Sequence, residues 1–244
     1  MVDYERASLT VRRDLVDAHS RAWRHIAEPG TWWTGAERVA IAAEARAART
    51  CSLCVERKQL LAPTMANGAH GRASDLPEYV VDAVHRIATD AGRLASSDYR
   101  AYLDAGLSDG QYVEIIGVVV NVVCVDTVCS AVDNPQQPLP QPIAGEPTRH
   151  RPPAAVGGTA WVPMLPEGGR DPDSKSLYGR LLKTPHVARA LSLVPDEVRG
   201  MIRLAAAQYI DPPKMMNLSR CRAINRPQIE LVAARVSAIN ECFY

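Results

Sequence analysis

The sequence predicts an all-α protein, and three observations support this prediction. Hydrophobic residues make up 47% of the 244-residue chain and charged residues 23%, which is typical of a globular protein. Alanine and arginine are abundant, and both are good helix formers. A helix-capping pattern occurs three times, beginning at Thr34, Ser108 and Asn225.

The first half of the chain is predicted to contain five helices. The first ends before Pro29 and Gly30, and the third has Asp75 as its cap and Pro77 in its first turn. The aliphatic run 115–120 favours a strand by propensity, but it lies in an uninterrupted segment that is too long for a typical strand. We therefore expect a buried helix there. The predicted helices span residues 4–27, 35–61, 77–94, 98–105 and 108–132.

The segment 134–176 has a different composition from the rest of the chain. It contains many of the chain's 18 prolines and shows no periodicity, which indicates a linker or wrapping arm that is partly polyproline II. Short helices are expected from Leu177 onward, and the last should begin near Arg226 and be buried. The predicted domains are an N-terminal lobe (1–133), this arm (134–176) and a C-terminal lobe (177–244).

Charge and hydropathy argue against several classes of partner. The chain has 28 basic and 27 acidic residues, so no net field attracts nucleic acid or an anionic membrane. No signal peptide is apparent, and the longest uncharged apolar run, 115–125, is shorter than the ~20 residues of a membrane span. We therefore expect a cytoplasmic protein with mostly reduced cysteines, in which a CxxC pair is redox-active or metal-binding.

The three capped helices share a spacing between the cap and a later polar or cysteine residue. Cys51 follows Thr34 by 17 residues, and Cys242 follows Asn225 by the same interval. In the middle copy, Asp126 lies 18 residues after the cap. This self-similarity predicts a duplicated helical-hairpin unit.

Two of these copies carry a resemblance to a known family. The segments 37–54 and 228–242 resemble the alkylhydroperoxidase AhpD and carboxymuconolactone decarboxylase superfamily. The family motif is a glutamate, eleven residues, CxxC, three residues and a histidine. The resemblance implies an all-α, AhpD-like helical bundle, homo-oligomers, a peroxide substrate and a thiol or dithiol electron donor, with no cofactor. It also implies that Cys54 attacks the peroxide and that Cys51 resolves the product as a disulfide.

No copy of the motif is complete. In the first copy, Val39 stands at the glutamate position and Lys58 at the histidine position. In the last copy, Glu230 and Cys242 match, and the sequence stops at Tyr244 before the second cysteine position. We therefore expect either that the natural chain continues beyond this point or that this copy has lost its redox half.

The middle copy retains Glu114 at the glutamate position and has Asp126 and Cys129 in place of the two cysteines. Glu114 is a candidate catalytic carboxylate, and the alternative is a buried ion pair, because a buried carboxylate needs a partner. Glu230 also has an alternative, since a carboxylate in a first helical turn complements the helix dipole.

The residues around the CxxC pair suggest thiol chemistry independently of the family. Thr50 can cap a new helix, and a helix N-terminus favours the thiolates of Cys51 and Cys54. Lys58 lies one turn after Cys54 and can steady a thiolate. Glu44 lies seven residues before Cys51 and can face the same side of a continuous helix.

Other interpretations of the pair remain open. The two thiols can be small buried hydrophobic groups at a helix start. A tetrahedral zinc site needs four ligands, and no second CxxC or HxxxH completes one, so no metal is expected. His85 is either a proton donor near Cys54 or a half-exposed helix histidine. His70 shows no pairing signal.

The sequence thus predicts a thiol-dependent peroxidase or disulfide reductase. The alternatives are a carboxymuconolactone decarboxylase-like enzyme, in which a carboxylate or histidine acts on a lactone, and a non-catalytic scaffold of the same fold. Consumption of peroxide with a dithiol donor separates the first from the other two.

Overall fold

The all-α prediction is confirmed by the computed structural model, which describes residues 2–158, 160–179, 184, 186–210 and 222–239. Within these ranges there is no β-strand, only an isolated antiparallel bridge between Val156 and Met164. The helices are α1 (Arg13–Ala27), α2 (Gly35–Ala47), α3 (Ser52–Gln59), α4 (Glu78–Asp90), α5 (Ser96–Asp104), α6 (Asp109–Ala131), α7 (Pro172–Tyr178), α8 (His186–Arg189), α9 (Pro195–Gln208) and α10 (Arg226–Ile239).

The predicted caps begin α2, α6 and α10. The Thr34 hydroxyl accepts from the backbone N–H of Glu37, and the Glu37 carboxylate accepts from the N–H of Thr34, a reciprocal pair that starts α2. Ser108 starts α6 in the same way, and Asn225 does so for α10. Local sequence therefore sets these three helix starts.

Two predicted helices are shorter than expected. The first begins at Arg13, so residues 4–12 are not helical. The range 35–61 is broken by a 3₁₀ turn at Ala48–Thr50, where the Thr50 hydroxyl donates to the carbonyl of Ala47. The N-cap of α3 is consequently Cys51, not Thr50.

The third predicted helix also starts differently. Pro77 is the N-cap of α4, and its carbonyl accepts from the N–H groups of Val80 and Val81, so Asp75 is not the cap. Because proline has no backbone N–H, it leaves no hydrogen-bond donor without a partner at this position. Its restricted φ is compatible with the residue that precedes a helix.

Helix α6 is confirmed as a helix and lies in the core with α1, α2 and α4. It is long and apolar enough to span a membrane by length and composition, and it alone among the described residues passes that test. Most of its apolar segment is buried inside the protein.

The proline-rich segment lies across α1 and the turn that follows it. The Trp23 indole N–H donates to the carbonyl of Pro138. The backbone N–H of Ile143 donates to the carbonyl of Ala27. Leu165 and Val162 are buried, whereas Ile143 and Trp161 are 44% and 47% exposed. The segment is nearly free of regular structure, as expected, although α7 begins before its predicted end.

The chain divides into two compact units, residues 1–204 and 205–244, and the proline-rich segment belongs to the first. The division that the sequence predicts, at 133 and 176, and the duplication both stay predictions. In the second unit, α10 was expected to be buried; Ile229 is buried, but Leu231, Val232, Val236 and Ile239 are all at least half exposed. The helical periodicity therefore predicted the helix correctly, and the burial of its apolar face only at Ile229.

Candidate active site

The two cysteines of the CxxC motif lie at the start of α3. Cys51 is the N-cap and Cys54 is in the first turn, so the predicted helix N-terminal position is confirmed. Both side chains are buried, with 4% exposure for Cys51 and 3% for Cys54, so neither is distinctly the more buried. They pack with Ala48, Leu53 and Ala66 in a small cluster separate from the main core.

Two buried histidines converge on these thiols from different parts of the chain. His85 comes from α4, and its Nδ1 lies 3.3 Å from Sγ of Cys54. His70 comes from the loop before α4, and its Nδ1 lies 3.5 Å from Sγ of Cys51 and 3.7 Å from Sγ of Cys54. All four sulfur and nitrogen atoms lie within 4.8 Å of one another. We call these four residues the thiol–histidine cluster.

Each histidine is held on its other nitrogen by a carboxylate. Nε2 of His85 lies 3.0 Å from Oε2 of Glu44, and Nε2 of His70 lies 2.9 Å from Oδ1 of Asp82. His85 and Asp82 lie three residues apart on α4 and thus share one face of that helix. Each imidazole is therefore oriented with Nδ1 toward the sulfurs.

The two carboxylates are themselves fixed by donors. Oε1 of Glu44 accepts from the Ser74 hydroxyl at 2.6 Å and from the N–H of Ala73 at 2.9 Å. Asp82 accepts from the Tyr102 hydroxyl at 2.6 Å and from the Arg57 guanidinium at 2.5 Å. These donors lower the pKa of both carboxyl groups against the opposing effect of burial, so both are ionised at neutral pH.

The surroundings favour thiolate over thiol. Burial raises the pKa of Cys51, but the backbone N–H of Cys54 and the imidazole of His70 outweigh it, and the pKa falls to about 6. Burial likewise opposes ionisation of Cys54, and the two histidines lower its pKa below the usual value. Burial lowers the pKa of His70, but Asp82 and the two sulfurs raise it to about 10. Thiolate beside imidazolium is thus the favoured state of the cluster.

Cys54 borders a partly open cavity of about 250 Å³. Lys58 lies on its wall, as does Arg49, while Cys51 does not line it. Two basic residues therefore border the same cavity as Cys54. That Lys58 steadies a thiolate stays a prediction.

Of the sequence candidates, Cys51 and Cys54 belong to the cluster, Glu44 binds its His85, and Lys58 lines the cavity next to Cys54. Glu114 lies elsewhere, in a fully buried ion pair with Arg38, which also binds Glu197 at 2.8 Å. The buried-ion-pair alternative for Glu114 is therefore the one observed.

The remaining candidates belong to the second unit. Glu230 pairs with Arg226 at 2.6 Å on the surface of α10 and accepts from the Tyr209 hydroxyl. Cys242 lies outside the described residues.

The sequence did not single out His70 or Asp82 as site residues. For His85 it left two interpretations open, a proton donor near Cys54 and a half-exposed helix histidine; the side chain is fully buried and contacts Cys54. The available signal was a histidine and an aspartate three residues apart on the helix after the CxxC segment. That signal is weak, because the contacts span 12 to 41 residues along the chain.

Comparisons with family models, curated proteins and solved structures gave no match. The AhpD-like resemblance therefore stays a proposal.

Proposed function

We propose that the protein is a dithiol oxidoreductase that reduces small peroxides with Cys54 and Cys51. The observation that carries the proposal is the chain of contacts from Glu44 through His85 to Cys54, next to a second thiol and a cavity. A thiolate nucleophile, an oriented imidazole and a resolving thiol are the groups that such a reaction needs.

In the proposed reaction, the Cys54 thiolate attacks one oxygen of the peroxide and the O–O bond breaks. The His85 imidazolium donates its Nδ1 proton to the departing alkoxide or hydroxide, which leaves as alcohol or water. Cys54 is then a sulfenic acid. The Cys51 thiolate attacks its sulfur, water leaves with one further proton, and the disulfide forms.

An external dithiol then returns two electrons to the Cys51–Cys54 disulfide by thiol–disulfide exchange. Cys54 is assigned the attack because it lines the cavity and contacts His85. Cys51 has a pKa of about 6, so it is already a thiolate when the sulfenic acid appears. Membership of the AhpD superfamily, a reducing cytoplasmic location and a homo-oligomer are parts of the same proposal.

The test is peroxide consumption by the reduced protein with dithiothreitol as electron donor and EDTA present. We expect one Cys51–Cys54 disulfide per peroxide consumed in the absence of the donor, and catalytic turnover in its presence. Cys54→Ser should consume none. Cys51→Ser should form a single sulfenic acid, trapped by dimedone, without turnover.

Cys124→Ser is the matched control, because Cys124 is a half-buried thiol on α6 outside the cluster. It should behave like the wild type. Wild-type peroxide consumption by Cys54→Ser would remove this function, and conversion of a lactone substrate without peroxide would favour the decarboxylase alternative.

A further inference from the structure

The redox reaction proposed above uses one histidine and its carboxylate, whereas the thiol–histidine cluster contains two histidines, each bound by its own carboxylate. His70 and Asp82 form a second buried pair whose imidazole also directs Nδ1 at both sulfurs. A peroxidatic thiol needs one proton donor. Two imidazoles converging on two thiols therefore call for a further explanation.

Three of the sulfur–nitrogen distances in the cluster match those of a tetrahedral zinc site. With Zn–S near 2.3 Å and Zn–N near 2.0–2.1 Å, a tetrahedron places sulfur and nitrogen about 3.5–3.6 Å apart. The distances from Cys51 to His70, from Cys54 to His70 and from Cys54 to His85 are 3.5, 3.7 and 3.3 Å. All four donor atoms lie within 4.8 Å of one another and therefore form a group able to hold a single ion.

The outer contacts also match those of bound zinc. A histidine that binds a metal through one nitrogen usually donates its other N–H to a carboxylate or carbonyl, which fixes its orientation. Here Glu44 and Asp82 accept from Nε2 of His85 and His70, which leaves both Nδ1 lone pairs available to an ion. Both carboxylates are anchored by further donors and do not reach into the cluster.

The donor types select the metal. Two thiolates and two imidazoles suit Zn²⁺, whereas Mg²⁺ and Ca²⁺ prefer oxygen ligands. Two thiolates neutralise the charge of one Zn²⁺, so the buried site gains no net charge. None of the four side chains is more than 6% exposed, and all four tetrahedral positions are filled by protein, as in a closed zinc site.

We propose that the reduced thiol–histidine cluster binds one Zn²⁺ through Cys51, Cys54, His70 and His85. The ion would tie the start of α3 to α4 and to the loop that precedes it. This inference concerns metal binding and holds whether or not the protein turns over peroxide.

One consequence does rest on the proposed function. Zinc occupies both thiolates and the Nδ1 lone pair of His85, so the zinc-bound form is inactive as a peroxidase. Slow oxidation by one peroxide, ROOH, with two protons converts the two bound thiolates to a disulfide, produces ROH and water, and releases Zn²⁺ unchanged in oxidation state.

The experiment is titration of the reduced, metal-free full chain with Zn²⁺ in competition with a chromogenic chelator. We expect one ion per chain. Cys51→Ser and His70→Asn should each weaken affinity by more than about 100-fold, which exceeds the ~10- to 100-fold expected for Asp82→Asn at an outer carboxylate. Cys124→Ser and His150→Gln, which alter a thiol and a surface histidine outside the cluster, should leave affinity unchanged.

A variant that does not fold also binds no metal, so a second measurement uses the wild type alone. Co²⁺ in place of Zn²⁺ should show the thiolate charge-transfer and d–d absorption of a tetrahedral sulfur–nitrogen site. Absence of tetrahedral Co²⁺ absorption, or Zn²⁺ bound equally well by Cys51→Ser, would overturn the proposal.

The two proposals fail separately. Zinc binding without peroxide turnover in EDTA supports the metal site and removes the peroxidase. Turnover in EDTA without any zinc binding supports the peroxidase and removes the metal site. Turnover that stoichiometric Zn²⁺ abolishes and EDTA restores supports both.

Discussion

Replacing Glu44 by Gln tests how the buried carboxylate sets the proton on His85. The carbonyl oxygen of the new amide can keep the contacts with Ser74 and Ala73, which occupy Oε1 in the wild type. The amide NH₂ then faces Nε2 of His85. Because NH₂ only donates, Nε2 must accept, and the neutral imidazole carries its proton on Nδ1.

This change removes the imidazolium that the proposed reaction requires. A neutral imidazole with its proton on Nδ1 is a weak acid toward the leaving oxygen and cannot take a proton from Cys54. A hydrogen bond to a charged group contributes about 1.5–3 kcal/mol. At 1.36 kcal/mol per factor of ten, its loss slows the reaction of Cys54 by about 10- to 150-fold.

The assay is alkylation of Cys54 by iodoacetamide at neutral pH with EDTA, followed by peptide mass spectrometry, together with the rate of single-turnover peroxide oxidation. Ser74→Ala removes one donor to the same carboxylate but leaves the carboxylate charge facing Nε2 of His85, so it should slow the reaction less than Glu44→Gln does.

Glu28→Gln is the matched surface control, because Glu28 pairs with Arg24 in water and should give no change. Wild-type reactivity of Cys54 in a folded Glu44→Gln protein would refute the role assigned to the carboxylate.

Three further predictions concern the rest of the fold. Arg38→Met leaves buried Glu114 without its ion-pair partner and Glu197 with His25 alone, and it should lower the free energy of urea unfolding by about 3–5 kcal/mol, whereas Arg13→Met on the surface should not. Equal stability of Arg38→Met and the wild type would contradict the buried ion pair. Burial lowers the pKa of His19 to about 4. Above the unfolded-state pKa near 6.5, the imidazole is neutral in both states and does not reduce the free energy of unfolding. As the pH falls from about 6.5 toward 4, protonation of the unfolded state lowers the free energy of unfolding by about 1.4 kcal/mol per pH unit. Urea unfolding of His19→Gln should show a flatter pH dependence in that window, and an unchanged slope would count against it. Trp23→Phe removes the hydrogen bond to the carbonyl of Pro138 and should lower the free energy of unfolding by about 1 kcal/mol. Proteolysis of the proline-rich segment should become faster, and an unaltered cleavage rate would contradict this prediction.

The helix starts illustrate how far local sequence reaches. Thr34 and Glu37 satisfy each other within a single turn, so their pattern predicts the beginning of α2 without knowledge of the fold. The sequence left open whether the helix continues through Thr50 or a new one begins there, because Thr50 is compatible with both; the structure has a break at Ala48–Thr50. Whether a helix face is buried also lies beyond local pattern, as the exposed Val232 of α10 demonstrates.

The site was anticipated only in part for a related reason. Cys51 and Cys54 are close in sequence, and a helix N-terminus near cationic residues already favours their thiolates. The family motif, in contrast, placed its histidine at Lys58. The histidines that contact Cys54 are His85, supplied by another helix, and His70, supplied by the loop before that helix.

The sequence by itself determined the all-α class, the capped helix starts and the position of the thiol pair at a helix N-terminus. These features depend on interactions within one or two turns, where hydrogen-bond partners are separated by three or four residues. Only the tertiary structure decided which carboxylates and imidazoles face the sulfurs. Glu44, His70, Asp82 and His85 meet the thiols because packing of α2, α3 and α4 brings distant segments together. Such contacts have no fixed spacing along a chain, so no local pattern encodes them.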